Sequence, residues 1–193
     1  MNESRVAPGL LLAMPHLLDP NFSRAVVLMV EHSEEGSFGL IINQPSELNV
    51  AELLGQLDID WRGSPDAVVW SGGPVTPSTG WVLHEPLGAA TKAAAELPPP
   101  RATVTVAPGI ALSTSPDVLR DIAGAPPRRV RFLLGYAGWG PGQLAAEMVH
   151  GSWLHADASP ELVFDTPPEA IWSSALRSLG VNPETLVPGE GVH

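Results

Sequence analysis

The chain has 193 residues, of which 44% are hydrophobic and 16% are charged. This length suits one domain with a buried core, and the net charge of −11 disfavours binding to polyanions such as nucleic acid. The absence of cysteine excludes disulfides, thiolate catalysis and metal sites with cysteine ligands.

The N-terminal segment is not typical of a targeting signal. Its apolar block, residues 10–12, lies between Pro8 and Pro15, and no clean cleavage site follows. No apolar run reaches the roughly 18 residues that span a bilayer. The sequence therefore predicts a cytoplasmic protein without a membrane anchor, and the low charge content favours self-association.

The first third of the chain predicts a hairpin followed by a helix. Residues 25–31 and 38–43 are apolar runs rich in β-branched side chains, which indicates two buried antiparallel strands. Gly36 lies in the loop between them and can adopt a positive φ. Ser46 is predicted to cap a helix with one apolar side. That side carries Val50, Leu53, Leu54 and Leu57.

The remaining two thirds alternate short strands and helices. Pro116 is predicted to start one helix with Ser115 as its cap, and Pro167-Pro168 to start another that Gly180 closes. A further helix is predicted near 141–150. Strands are predicted at 67–71, 81–84, 103–107, 110–114, 129–136, 152–156 and 162–164.

This alternation predicts an α/β protein, with α+β as a variant. We expect a single compact domain over residues 1–193, with a mixed β-sheet flanked by helices. Residues 85–101 are predicted to form a mobile excursion and residues 188–193 a flexible tail. In the strand at 129–136, Arg129 and Arg131 share one face. That face is interpreted as solvated, with a phosphate site as the alternative.

The run GYAGWGPGQL, residues 135–144, is the most informative feature of the chain. Its glycines and proline are predicted to break the apolar strand just before a helix. Tyr136 and Trp139 within it can each combine apolar contact with one hydrogen bond. Two interpretations are open: the bend allows close packing, or it opens a surface on which the aromatic rings meet a partner.

Known catalytic and cofactor motifs are absent from the sequence. The glycine spacing after residue 135 matches neither a phosphate loop nor a dinucleotide turn, and Val69 occupies the position where a nucleophile elbow around Ser71 requires glycine. Glu147 and His150 form a single Glu-x-x-His, whereas a di-iron site needs two. We therefore predict no catalytic residue, no metal ligand and no cofactor.

Several separated blocks of the sequence resemble the YqgE/AlgH family of bacterial proteins. They include SGGPV, WVLHEP, GIALSTSPDVL, GYAGWGPGQL and FDTPPEAIWSSALRSLG, in that order. The resemblance implies a single α/β domain with a mixed sheet and no established enzyme activity. This chain departs from the family pattern at Ala145, where an acidic residue is common, and at Gln44, where arginine is common.

The family pattern and the polar residue types together define a candidate binding surface. Its members are His32, Asn43, Gly72, Gly73, His84, Tyr136, Trp139, Gln143 and Glu147. Each also has a structural interpretation: Trp139 can cap a core, for example, and Gln143 can satisfy a backbone group at a helix start. The sequence alone does not show whether these side chains meet.

Two functional classes remain open from the sequence. The first is a non-catalytic binding or regulatory protein that acts through a protein or small-molecule partner, which the transcriptional-regulator label of the family in alginate synthesis also suggests. Direct contact with DNA is disfavoured because the chain is acidic and lacks a helix-turn-helix pattern. The second class is a hydrolase whose composite site would draw on His32, Asn43, His84, Tyr136, Gln143 and Glu147.

Overall fold

The computed structural model describes residues 6–87 and 103–186. The strands are β1 (Gly9–Ala13), β2 (Val26–Ser33), β3 (Gly36–Ile41), β4 (Pro45–Asn49), β5 (Val68–Ser71), β6 (Val75–His84), β7 (Thr103–Ala107), β8 (Ile110–Ser113), β9 (Val130–Trp139) and β10 (Trp153–Ala156). The helices are α1 (Val50–Gly55), α2 (Pro116–Gly124), α3 (Gln143–Val149) and α4 (Pro168–Ser178). Most of the predicted excursion at 85–101 and all of the predicted tail at 188–193 lie outside the described residues.

The strands form one sheet with β9 at its centre. The main order is β10-β1-β2-β3-β9-β6-β8-β7, and β5 pairs with both β4 and β9. The β5–β9 pair is parallel and the other pairs are antiparallel. The predicted α/β fold with a mixed sheet and flanking helices is therefore confirmed.

Both faces of the sheet are covered, which explains why its early strands are continuously apolar. Along β1, Leu10 and Leu12 pack in a core with α4, whereas Leu11 and Ala13 point to the other face, where Leu144 of α3 packs. A third cluster lies under α1 and α2 around β5, β6 and β9. The sheet thus supports separate cores on its two faces. Helix α3 packs on the face that carries Leu11, Ala13 and Trp139, the last residue of β9.

The predicted β2–β3 hairpin is present, but the helix after it starts later than predicted. Gly36 has φ +143 in the hairpin. Ser46 is not a helix cap: it lies in β4 and its hydroxyl donates to the carbonyl of Val69. Asn49 caps α1 instead, accepting from the amide of Ala51. Because α1 ends at Gly55, Leu57 lies beyond its apolar side and is 54% exposed.

Two further predictions from the sequence need correction. Residues 162–164 are not a strand: they lie within a π-helical turn, Glu161–Asp165, that buries Val163 and Phe164. The strand does end within the run GYAGWGPGQL just before a helix, as predicted, but three residues later than position 136. Pairing with β3 carries β9 through Gly135 and Gly138 to Trp139, because cross-strand hydrogen bonds override the low strand propensity of glycine.

The arginine face predicted for residues 129–136 is partly covered by a distant turn: Arg129 lies just before β9 and Arg131 lies within it, and both contact Glu161–Asp165. The guanidinium of Arg129 forms a two-point contact with the carboxylate of Asp165 in the π-helical turn, and it holds the pKa of that carboxyl below its usual range. Arg131 lies 4.6 Å from the ring centroid of Trp70 and donates to the carbonyl of Phe164 at 2.7 Å. Tertiary packing of a distant turn therefore covers part of this basic face.

Candidate functional site

The carboxylate of Glu147 is the centre of a cluster that contains three of the candidate residues. Its Oε2 accepts hydrogen bonds from the indole Nε1 of Trp139 at 2.9 Å and of Trp153 at 2.8 Å. Its Oε1 accepts from Nε2 of Gln143 at 3.0 Å, and Oε1 of Gln143 accepts from the amide of Gly140 at 3.0 Å. We call these side chains the indole–carboxylate cluster.

The indole–carboxylate cluster is packed as well as hydrogen-bonded. The rings of Trp139 and Trp153 meet edge to face with centroids 5.6 Å apart, and Phe22 packs against both. Trp139 is only 6% exposed. Because both Glu147 oxygens already accept from neighbours, this carboxylate is engaged in joining α3 to β9 and β10, which is a structural task.

His84 lies in a second, buried network at the end of β6. Its ring Nδ1 is 2.7 Å from the carbonyl of Glu85, which can only accept, so Nδ1 carries the proton. Nε2 therefore accepts from the hydroxyl of Ser113 at 2.8 Å, and Ser113 in turn accepts from Thr103 at 2.6 Å. Burial lowers the pKa of His84, although the carbonyl and charge of Glu85 oppose the shift.

The Ser113–His84 pair has the contact that a hydrolase uses to activate serine. However, His84 is 0% and Ser113 is 1% exposed, so neither side chain is accessible to a substrate in this conformation. The orienting group is also a backbone carbonyl instead of a carboxylate. Ser113 was not identified from the sequence. The pattern that could have revealed it is a serine at the end of the otherwise apolar strand β8.

Gly72 and Gly73 allow two backbone segments to cross at close range. A Cβ on Gly72 would lie 2.3 Å from the carbonyl oxygen of Gly135, and one on Gly73 would lie 2.2 Å from the carbonyl carbon of Tyr136. Gly135 has φ +78, and its own Cβ would lie 2.3 Å from the carbonyl oxygen of Gly73. The amide of Gly72 donates to Leu134. These glycines therefore serve packing at the crossing.

Asn43 lies away from the other candidate residues and holds the start of β2. Its Oδ1 accepts from the amide of Val26 at 3.0 Å, and its Nδ2 donates to the carbonyl of Arg24 at 2.9 Å. Arg24 has φ 51 and lies over the ring of Trp172. Asn43 thus fixes the strained turn at Arg24, and the guanidinium of Arg24 packs on Trp172 of α4.

One face of the β3–β9–β6 region forms an open cleft of about 650 Å³. Three aromatic rings from three strands line it: Phe38 of β3, Tyr136 of β9 and Trp81 of β6. The ring centroids are 5.8 Å (Phe38–Trp81), 5.9 Å (Phe38–Tyr136) and 6.2 Å (Trp81–Tyr136) apart. We call this the aromatic cleft.

Acidic side chains of the β2–β3 hairpin border the aromatic cleft. Glu31 is the cross-strand partner of Phe38, and Glu35 lies at the hairpin tip; both are exposed and line the cleft. In residues 6–87 and 103–186 no cationic side chain forms an ion pair with either one. The cleft therefore combines apolar ring surface with two uncompensated negative charges.

Gly138 keeps the aromatic cleft open. It lies between Phe38 and Val75 on the lining and is exposed. A Cβ at this position would meet the ring of Tyr136 at 3.4 Å and Val75 at 3.8 Å. Its φ lies outside the left-handed region, so what glycine supplies here is space.

His32 faces away from the aromatic cleft, into a second cavity of about 780 Å³ between the hairpin and α3. Its Nδ1 is 2.6 Å from the hydroxyl of Ser37. Ala145, where the family commonly has an acidic residue, also lines this cavity. The absence of a carboxylate there leaves the α3 wall of the cavity mostly apolar, with Leu144, Met148 and Val149.

The candidate residues are thus distributed over several places. Trp139, Gln143 and Glu147 meet in the indole–carboxylate cluster, and Tyr136 lines the aromatic cleft, which Trp139 also borders. His84 is not among the residues lining the cleft. Sequence reasoning missed Phe38, Trp81, Glu31 and Glu35. The signal for the first three was an aromatic or acidic residue at the end of an apolar strand pattern, whereas Glu35 lies in the hairpin turn and carried no such signal.

Within residues 6–87 and 103–186, no three His, Asp or Glu side chains are grouped so that they could hold a metal ion. None of the helices in these residues combines the length and the apolar character that crossing a bilayer requires.

Comparison of the sequence with known proteins identifies close relatives. A family model described as AlgH-like matches residues 10–184. The UPF0301 protein of Myxococcus xanthus (strain DK1622) is 46% identical, with 97% of this chain and 98% of that protein aligned. The UPF0301 protein AlgH of Pseudomonas aeruginosa PAO1 is 43% identical, with 94% of this chain and 92% of that protein aligned.

Solved structures agree with the sequence comparison. The solution structure of the AlgH protein from Pseudomonas aeruginosa matches with a TM-score of 0.73 and 39% identity, covering 100% of this chain and 98% of that chain. A crystal structure of a Corynebacterium diphtheriae protein shares the fold with a TM-score of 0.68, at 24% identity over 92% of this chain and 90% of that chain. Because the family model and the relatives span nearly the whole sequence, the chain belongs to the AlgH-like family.

Proposed function

We propose that this chain is a non-catalytic binding protein with a regulatory role, and that a partner or small molecule binds in the aromatic cleft. The observation that carries the proposal is the contrast in hydrogen bonding. Glu147, Gln143 and His84 have partners within the protein, whereas the rings and carboxylates of the cleft have free surface. Partly exposed aromatic rings in a concave site are typical of recognition.

The size of the aromatic cleft supports binding as its role. Small-molecule sites usually enclose about 300–1,000 Å³, and the cleft encloses about 650 Å³. Its walls come from strands of the central sheet, so they are held in place before any ligand arrives. A preformed site loses less conformational entropy on binding than a flexible one.

Arg129 and Arg131, at the start of β9, bear on the DNA-binding alternative. Arg129 and Arg131 are engaged by Asp165 and by Trp70 and Phe164, so they do not present a free basic stripe. Together with the net charge of −11, this favours regulation through a ligand or a protein over duplex contact. A sequence-selective, salt-dependent shift of DNA by the purified chain would contradict this preference.

The test of the proposal is a fragment screen that compares an open cleft with a filled one. Binding of a mixed-charge fragment library to the full chain is followed by ligand-observed NMR. Gly138→Leu places a side chain inside the cleft, and Gly80→Leu is the matched control, because Gly80 is exposed on β6 and does not line the cleft. We expect a set of fragments to lose binding to Gly138→Leu and keep it with Gly80→Leu.

Thermal unfolding of both variants establishes first that they are folded. If no fragment discriminates between Gly138→Leu and Gly80→Leu, the aromatic cleft is not the binding site and the proposal fails.

The hydrolase remains a second candidate because of the Ser113–His84 contact. Its test is labelling by a serine-reactive fluorophosphonate, with Ser113→Ala as the control for the labelled position. Labelling at Ser113, together with ester hydrolysis that Ser113→Ala abolishes, would favour an enzyme. The burial of both side chains leads us to expect no labelling.

A further inference from the structure

We infer that the ligand of the aromatic cleft is a small organic cation, with an ammonium or guanidinium group. This inference rests on the proposed function and names the ligand class for the same site. Ring spacing and hairpin charge together support it.

The aromatic rings supply the first part of the recognition. A cation is attracted over the face of an aromatic ring within about 6 Å of its centroid. Since the centroids of Phe38, Trp81 and Tyr136 are 5.8–6.2 Å apart, one cation in the cleft can lie within reach of more than one ring. Phe38 and Trp81 are tilted by 33°, and Tyr136 stands at 74° and 82° to them.

The hairpin carboxylates supply the second part. Glu31 is held directly opposite Phe38 by the β2–β3 pairing, which places its charge beside the aromatic floor. Glu35 adds a second charge from the hairpin tip. A neutral apolar ligand would bury ring surface but gain no attraction from these exposed carboxylates, and an anion would be repelled by them. An organic cation satisfies both parts of the site.

The cleft favours a small molecule over a long basic segment. Its lining comes from the β2–β3 hairpin and from β6 and β9, and its two carboxylates lie together at one end of the aromatic rings. One compact cation can therefore contact both the rings and the charges. We therefore assign the site to a free cation.

The test compares choline with 3,3-dimethylbutan-1-ol, which has the same shape with carbon in place of the quaternary nitrogen. Agmatine provides a guanidinium probe and an arginine-rich peptide provides the macromolecular arm. Binding to the full chain is measured by tryptophan fluorescence and confirmed by chemical-shift mapping on Trp81. We expect choline or agmatine to bind about 10-fold or more tightly than the neutral alcohol, because the alcohol lacks both the cation–π and the charge attraction.

Substitutions in the aromatic cleft test whether its carboxylates and rings cause the preference for a cation over a neutral ligand. Glu31→Gln combined with Glu35→Gln is expected to weaken cation binding about 3- to 10-fold, and the loss should shrink at high salt. Glu34→Gln is the matched control, because Glu34 lies on the same hairpin but lines the other cavity; it should change affinity less than about 2-fold. Trp81→Leu should reduce binding about 5- to 30-fold.

The outcomes separate this inference from the proposed function. Equal binding of choline and the neutral alcohol, abolished by Gly138→Leu, would overturn the cation inference and leave the binding cleft intact. Binding of the peptide alone would overturn the assignment to a small cation. If neither choline nor agmatine binds at millimolar concentration, the cation inference fails, whereas the fate of the proposed function is decided by the fragment screen.

Discussion

Strand β9 contributes to two aromatic regions that differ in how their polar groups are satisfied. Trp139 belongs to the indole–carboxylate cluster, where the carboxylate of Glu147 accepts from two indoles and one amide. Tyr136, three residues earlier in the chain, lies in the aromatic cleft, where Glu31 has no cationic partner among the described residues.

This difference shows how similar residues acquire different tasks. Removing a carboxylate from water costs free energy unless donors replace the lost hydration, so the three donors around the partly buried Glu147 indicate a structural joint. A carboxylate beside open aromatic rings keeps its charge available to a ligand. Completeness of hydrogen bonding therefore distinguishes the two regions better than residue type does, and the following substitutions test that distinction.

The largest effect is expected from Trp139→Ala, on the structural side of the comparison. This substitution removes a large ring from a packed core and takes a donor from Glu147, so the free energy of unfolding should fall by about 3–5 kcal/mol. Trp81→Ala in the cleft should cost about 1–2 kcal/mol, since that ring is only partly buried. Urea unfolding measures both. Equal losses would remove the distinction between a core and a recognition surface.

Glycines of the same run provide the next comparison. Gly135→Ala should lower the free energy of unfolding by about 2 kcal/mol or more, because alanine disfavours its φ of +78 and its Cβ would overlap Gly73. Gly138→Ala should change stability by less than about 1 kcal/mol. Thermal and urea unfolding compare the two. A tolerated Gly135→Ala would contradict a close crossing of the two segments.

These glycines also show how far the sequence predicts the structure. Hydrophobic periodicity predicts the β2–β3 hairpin and the helix after Pro167-Pro168 because local pattern decides them. The continuation of β9 through Gly135 and Gly138 depends on its pairing with β3. The π-helical turn at Glu161–Asp165 likewise depends on contacts with Arg129, just before β9, and with Arg131 in β9.

The candidate site was predicted only in part, for a related reason. Residues 135–144 predict a special junction, and both Tyr136 and Trp139 were recognised as either packed or exposed. Which of them is buried depends on the register of β9 against β3 and on where α3 lies, and both are tertiary properties. Glu31 becomes part of a cleft only because the hairpin places it opposite Phe38.

A smaller effect is expected from neutralising one carboxylate in each region. Glu147→Gln should lower the free energy of unfolding by about 1–3 kcal/mol, because it weakens charge-assisted hydrogen bonds and sets two amide groups against each other at Gln143. Glu31→Gln should leave stability within about 0.5 kcal/mol. Urea unfolding of the two variants measures both losses. A larger loss of unfolding free energy in Glu31→Gln than in Glu147→Gln would mean that the cleft carboxylate, and not Glu147, is structural.

The smallest effect concerns pH and the buried His84 network, which is fully paired like the indole–carboxylate cluster. Burial lowers the pKa of His84 from its usual 6.5, so the native state keeps the ring neutral where the unfolded chain already binds a proton. The stabilisation from this ring is therefore complete above about pH 6.5 and is lost as the pH falls towards the lowered native pKa, by at most about 1.4 kcal/mol per pH unit.

His84→Gln keeps a donor and an acceptor at this position but does not titrate there. We expect urea unfolding of this variant to show a smaller loss of stability than the wild type between about pH 7.5 and pH 5.5. His16→Gln is the control for replacing a histidine with glutamine, because this side chain is exposed and makes no hydrogen bond among the described residues. If His84→Gln retains the full wild-type pH dependence, protonation of the buried ring is not what destabilises the wild type at low pH. The wild-type chain of hydrogen bonds from Thr103 through Ser113 to His84 would then accommodate a charged imidazole.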